Sequence, residues 1–367
     1  MGVIRHLRDL AGLIGLPKDQ RRLVFYSEGK NYWPYLEGLL LQILATTDIP
    51  VCYLSSDHDD PGLHLKHSHL RTFKTDEGFI RNWLFENIET DVMVMTMPDL
   101  QQYQVKRSHH PVHYIYVQHS LVSLHMIYRK GAFDFYDTLF CAGPHHIEEA
   151  RALETAYKLP KKILVEHGYG RLDSLLLEAS QKKTTPTEDD APQHVLLAPS
   201  WGDHATIESG VGERLVDELL TRGYRVTLRP HPQTIRLSKV KVDAIVNKHK
   251  SNPLFFYENN VAGQSSLFQS DIMISDWSGA ALDYAFGLNK PVYFVDVPRK
   301  INNSDYKDID ITPIEVSIRE EVGAVIDPNN IQFPEVIPNI SCEGRVFNPG
   351  QSSTVGAEYI RKLLAHE

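Results

Sequence analysis

Long apolar runs are missing from this 367-residue chain. None approaches the roughly 18 residues that span a bilayer, so no transmembrane helix is expected. Cysteine is scarce. The three residues Cys52, Cys141 and Cys342 lie far apart and form no Cys-x-x-Cys pair. That pattern points to reduced thiols in a cytoplasmic protein, and Cys52 and Cys141, inside apolar runs, read as core thiols. Positive charge is in deficit: 38 Lys and Arg face 47 Asp and Glu, a net charge of -9. Phosphate backbones demand a basic face, so nucleic acid is not an expected partner. The chain also lacks a Walker A loop, a Gly-x-Ser-x-Gly elbow and a His-Glu-x-x-His helix, which removes three large enzyme classes. No metal-ligand spacing stands out. His109-His110 and His145-His146 are adjacent pairs, which rarely face the same way. No metal or cofactor is expected.

What is present is ordinary globular composition, 42% hydrophobic and 23% charged, in a chain long enough for two domains. Residues 1–22 form an amphipathic N-terminal segment. Val3, Ile4, Leu7, Leu10 and Ile14 suit one helical face, interleaved with Arg5, Arg8, Lys18, Arg21 and Arg22. It does not read as a signal peptide. Such a helix can rest on an anionic membrane surface or pack on the protein's own body.

Beyond it, apolar runs alternate with helical patterns. Strands are predicted at Arg22–Tyr26, Val51–Leu54, Asp91–Met95, Val112–Val117 and Asp137–Cys141, with helices at Pro34–Leu44 and His145–Ala156. After a proline-bearing, aperiodic stretch the pattern resumes. Strands are predicted at His194–Ala198, Tyr224–Leu228, Asp271–Ile274 and Pro291–Val295, with helices at Glu213–Thr221 and Gly279–Phe286. Strand–helix alternation means parallel βαβ units. The fold class is therefore α/β, with two Rossmann-like domains whose parallel sheets face a central cleft. The expected boundaries are 23–181, a linker at 182–193, a second domain at 194–352 and a C-terminal helix at 353–367. Ligands bind beyond the carboxyl ends of parallel strands, and chemistry-bearing residues recur there.

Ser275, Asp276, Ser278 and Gly279 fill a strand-to-helix turn suited to an anion at a helix N-terminus. Asp276 or Ser278 can equally be an ordinary helix cap. Asp283, one turn later, can bind a donor hydroxyl. Arg229 and His231 follow another strand, the histidine held between two prolines. Either a cationic or a neutral imidazole beside Arg229 suits a pyrophosphate. His119 follows Val112–Val117. Ser200 and Trp201 follow His194–Ala198 and can contact a base or phosphate, or simply pack. Gly168, Arg171 and Asp173 suit an acceptor site or a hinge pinned by an Arg171–Asp173 ion pair.

Taken in order, Gln118-His119, Gly168-Tyr169-Gly170-Arg171-Leu172-Asp173, Ala198-Pro199-Ser200-Trp201, Arg229-Pro230-His231 and Ser275-Asp276-Trp277-Ser278-Gly279 with Asp283 resemble the CDP-glycerol glycerophosphotransferase family of teichoic-acid and capsule synthesis. Gly170 stands where the family has proline. Gln118-His119-Ser120-Leu121 replaces its Trp-His-Gly-Thr, and Gly279 replaces the second serine of a pair. The resemblance implies a GT-B fold, with an acceptor-side domain first and a nucleotide-donor domain second. It implies transfer of a polyol phosphate from a CDP-polyol donor, glycerol or ribitol, to a lipid-linked or polymeric glycan hydroxyl, releasing CMP. His119 would be the general base. Arg229, His231 and Ser278 would neutralise the pyrophosphate. Residues 1–20 would attach the protein at the inner membrane face. Competing readings are a nucleotide-sugar glycosyltransferase, a nucleotide-sugar 2-epimerase and a non-catalytic assembly protein.

Overall fold

A computed structural model describes residues 2–76, 78–181, 191–259, 264–333 and 340–365, with the side chains of residues 2–5 left out. The chain divides into two compact units. The first holds residues 1–174, 303–310 and 344–367, and the second holds 175–302 and 311–343.

In the first unit seven parallel strands pair in the order β3-β2-β1-β4-β5-β6-β7. They are β1 (Leu23–Ser27), β2 (Val51–Ser55), β3 (Leu70–Lys74), β4 (Val92–Met95), β5 (His113–Val117), β6 (Thr138–Cys141) and β7 (Ile163–Glu166). β1, β2, β4 and β6 are buried at every position, as expected for strands covered on both faces. One face packs Val24, Tyr26, Met93, Tyr114 and Tyr116. The other packs Phe25, Val94 and Ile115 under helix Trp33–Thr46 and the last helix, Ser352–Ala365.

In the second unit six parallel strands pair in the order β10-β9-β8-β11-β12-β13. They are β8 (His194–Leu197), β9 (Arg225–Leu228), β10 (Phe255–Tyr257), β11 (Ile272–Ser275), β12 (Val292–Val295) and β13 (Gly323–Ile326). Numbered within their own units, both sheets start from the 3-2-1-4-5-6 order of a dinucleotide-type fold. The order reverses between β1 and β4 in one sheet and between β8 and β11 in the other, and such switch points are where ligands seat.

Three boundaries differ from the sequence expectation. The first unit ends inside helix Gly170–Gln181, ahead of the expected linker, of which 182–190 lies outside the described residues. Residues 303–310 return to the first unit, where Asn303 hydrogen-bonds the His125 carbonyl at 2.8 Å. The last helix also belongs to the first unit, because its apolar residues Ala357, Ile360 and Leu364 complete that unit's core. Four strands escaped the sequence reading: β3, β7, β10 and β13. All four are sheet edges with partly exposed positions, so none carries the continuous apolar run that marks a central strand.

Candidate active site

His119 lies just past β5 in the first unit. Its Nδ1 is 3.0 Å from the Thr96 carbonyl oxygen, which can only accept, so in the neutral ring Nδ1 carries the proton. The Tyr116 hydroxyl is 2.9 Å from the same nitrogen. Nε2 is left as the lone-pair nitrogen, with the Tyr128 hydroxyl 3.5 Å away. Four tyrosine rings, Tyr32, Tyr35, Tyr116 and Tyr128, stand edge-on around the imidazole at 5.7–6.2 Å. Burial among them lowers the His119 pKa to about 4, opposed in part by the Thr96 carbonyl. Tyr32 and Thr96 follow β1 and β4, so His119 faces the switch point of its sheet.

Asp173, proposed from the sequence for a hinge, is engaged within the first unit. The Asp173 carboxylate accepts from the backbone N–H of Gly350 at 2.7 Å and of Ser352 at 2.8 Å. It therefore anchors the start of the last helix, a capping role. Gly168, at φ +102°, leaves no room for a Cβ against the Phe347 carbonyl. Gly168 and Asp173 thus hold the last helix to the first unit.

In the second unit the loops after β8, β9, β11 and β12 carry the other candidates. Asp276 is the hub. Its carboxylate accepts from the backbone N–H of Ser200 at 2.7 Å, of Thr206 at 3.0 Å and of Trp277 at 2.6 Å, and from the Thr206 hydroxyl at 2.8 Å. The Ser275 hydroxyl donates to the Ala198 carbonyl at 2.8 Å. Ser275 and Asp276 are therefore spent on joining β8 and β11, and the expectation that they bind the donor's phosphates is corrected. Ser200 is likewise buried, with its N–H committed to Asp276.

Ser278 is the cap of helix Gly279–Leu288, its hydroxyl accepting from Ala280 N–H at 3.3 Å. Ser278 and Gly279 remain half-exposed, so this helix start is open to an anion. Asp283 is buried one turn inside. Arg229 is buried, with Nη1 3.4 Å from the Ser266 hydroxyl.

His231 caps the short helix Pro232–Leu237, its Nδ1 accepting from Gln233 N–H at 3.1 Å. In the neutral ring the proton is therefore on Nε2, the opposite tautomer from His119. Burial, with the Lys300 charge second, lowers the His231 pKa to about 4, and Asp276 opposes the shift. Lys300 sits 4.4 Å above the Trp201 ring, which is 6.0 Å from the His231 ring. Arg319 lies on the Trp277 face at 3.4 Å, with Asp296 at 3.4 Å. Trp201, His231 and Lys300 thus form one cluster, within electrostatic reach of Asp276.

The sequence reading named neither Lys300, Arg319 nor the tyrosines. Lys300 follows a strand by the same rule that found His231, but Pro298-Arg299-Lys300 carries no spacing of its own. The tyrosines come from three separate segments, which only folding gathers. Among the described residues no three His, Cys, Asp or Glu side chains are grouped as a metal would need.

A profile of the CDP-glycerol:poly(glycerophosphate) glycerophosphotransferase family matches residues 93–301, more than half of the chain. The chain belongs to this family. It is a glycerophosphotransferase dependent on CDP-glycerol, and the matched span takes in His119, Trp201, His231, Ser278 and Lys300. No curated protein matches the chain in sequence. Solved structures share its fold. A variant of the wall teichoic acid polymerase TagF, soaked with CDPG, is 15% identical, with 99% of this chain and 88% of that one covered, at a TM-score of 0.51. The UDP-GlcNAc 2-epimerase of Methanocaldococcus jannaschii, in complex with UDP-GlcNAc and UDP, is 13% identical, covering 94% of this chain and 99% of that one, at 0.60. The Neisseria meningitidis enzyme bound to UDP-GlcNAc is 13% identical over 94% and 99%, at 0.52. At these identities the likeness is one of fold, the GT-B-like pair of Rossmann-type sheets.

The two histidines of this glycerophosphotransferase should titrate far below free imidazole. In 15N-detected NMR, His119 should be protonated at Nδ1 and His231 at Nε2, with midpoints near 4. Midpoints near 6.5 would contradict the burial argument. Unfolded histidine binds its proton at about 6.5. Stability from these neutral rings is therefore complete above that pH and lost as pH falls toward 4, because the unfolded chain then binds more protons.

Proposed function

We propose that His119 is the general base and that the cluster around His231 holds the donor's pyrophosphate. The observation that carries this is the partner of Nδ1, a carbonyl oxygen at His119 and an N–H at His231, which imposes opposed tautomers. Nε2 of His119 offers a lone pair, whereas Nε2 of His231 offers a proton. The acceptor hydroxyl gives its proton to His119 Nε2 as its oxygen attacks the glycerol-bearing phosphorus. The bond to CMP breaks on the opposite side. His231 Nε2–H, Lys300, Arg229 and the helix start at Ser278 stabilise the charge that develops on the phosphates. Trp201 offers a face to the cytosine, and Asp283 a carboxylate to a donor hydroxyl. The acceptor is a hydroxyl of a lipid-linked or polymeric surface glycan.

His119→Ala and His231→Ala should each lower kcat by about 10²–10⁴ with folding retained, a range typical of lost acid–base or charge-stabilising groups. Near wild-type turnover in either variant, measured as CMP release from CDP-glycerol, would remove that residue from the chemistry. Because the free enzyme's His119 is already neutral at pH 6, kcat/KM should stay flat from pH 8 to 6. A decline centred near 6.5 would assign the base elsewhere.

The second part of the proposal is peripheral attachment at the inner membrane face. No helix of the described residues is long and apolar enough to cross a membrane. Helix Gly2–Ile14 buries Leu13 and packs Leu10 and Ile14 on the core. It leaves Leu7 at 50% exposure and Arg8 largely in solvent. The adjoining helix Phe79–Asn87 exposes Phe79 at 80% and Trp83 at 41%. Exposed aromatic and apolar residues beside arginine suit a bilayer interface. Deleting residues 1–20 would strip the core, so the cleaner variant is Leu7→Ser with Phe79→Ser and Trp83→Ser. It should lose most binding to anionic liposomes in a flotation assay. Unchanged flotation would reject this surface.

A further inference from the structure

The first unit has an open cavity at the carboxyl ends of β1 and β2, lined by Glu28, Lys30, Asn31, Tyr32, Asp57 and Asp59 among others. It adjoins the proposed base directly, because Tyr32 lines it and also stands edge-on to the His119 ring at 5.8 Å. The loop that builds it is shaped in detail. Gly29 takes φ +152°, and a Cβ there would lie 2.8 Å from the Asp57 Cβ, so only glycine lets the β1 loop run this close to the β2 loop. Asp57 accepts from Lys30 N–H at 3.1 Å and from Asp59 N–H at 3.0 Å, which fixes both loops.

The chemistry of the wall is selective. Three carboxylates, Glu28, Asp57 and Asp59, face one ammonium, Lys30, and one imidazole, His58. The ammonium is already paired, with Lys30 Nζ 3.3 Å from Asp59. A phosphate placed here would meet net negative charge, which repels it by simple Coulomb energy. Carboxylates, an amide and a tyrosine face instead suit a neutral, hydroxyl-rich molecule. The carboxylates and Asn31 accept from its hydroxyls, and the ring covers its C–H surface.

We propose that this cavity is the acceptor subsite, and that it takes the uncharged sugar end of a glycan in preference to an end that already carries glycerol phosphate. The inference rests on the reading of His119 as base. It makes the enzyme one that starts a glycerol phosphate decoration rather than one that extends a phosphate chain.

The test uses the full-length protein, CDP-glycerol and a panel of neutral alkyl disaccharides, each also prepared with one terminal glycerol phosphate. The expected result is transfer to neutral members, with kcat/KM at least about tenfold lower for their capped forms at low salt, a gap that narrows at high salt as screening sets in. Asp59→Lys reverses the charge at the cavity rim and should shift the ratio toward capped acceptors by about fivefold, the size expected for two charge units acting across several ångströms of solvent. Preference for capped members, transfer to none, or a ratio unmoved by Asp59→Lys overturns the subsite. Calorimetry of wild-type protein with CDP-glycerol separates the two levels. Donor binding together with a preference for capped acceptors leaves the transferase standing and removes only this subsite. Absence of donor binding removes both.

Discussion

The Asp276 carboxylate is the constraint on which the loop cluster of the second unit depends. It is 2% exposed and accepts four hydrogen bonds from two loops distant in sequence. A buried charge is tolerable only when its lone pairs are met in this way. Removing it would strand several buried donors, at a cost of about 1–3 kcal/mol for each one left unmet. Its bonds fix Ser200–Trp201 after β8 relative to Trp277–Ser278 after β11. That is the point where the strand order reverses, so the loops on either side diverge and leave room for a ligand. With Trp201 placed, His231 and Lys300 have a surface to pack on. With Trp277 placed, the helix that begins at Ser278 presents its free N–H groups outward.

The first unit solves a different problem. Its histidine is buried with Nδ1 engaged and Nε2 left with its lone pair. Thr96 and Tyr116 occupy Nδ1, and the ring of tyrosines withholds water from the imidazole. The same physical means, burial, lowers both histidines to about 4. The difference lies in the partner of Nδ1: a carbonyl oxygen for His119 and an N–H for His231. One second partner therefore decides whether a buried imidazole accepts or donates a proton.

Sequence exposed the parts of this account that sit on continuous apolar runs. The central strands β1, β2, β4, β5, β6, β8, β9, β11 and β12 were legible because burial on both faces makes them largely apolar. The edge strands β3, β7, β10 and β13 were not, since one side of each meets solvent. His119 and His231 stood out in the sequence because each closely follows a central strand. Whether Ser275 and Asp276 bind phosphate or join loops was beyond local reading. A short polar turn looks the same in both cases, and only the contact with Ser200 and Thr206, some 70 residues away, decides it. The partner of Asp173 was hidden for a related reason, as it is the start of a helix that returns from the far end of the chain.

Direct attack by the acceptor on phosphorus is the central chemical claim, and Nε2 of His119 could in principle attack phosphorus itself. CDP-glycerol made chiral at the glycerol-bearing phosphorus, as a single phosphorothioate diastereomer, tells these apart. One in-line displacement with His119 as base predicts inversion at phosphorus in the product. Net retention would mean two displacements through a phosphorylated enzyme, and would contradict the account.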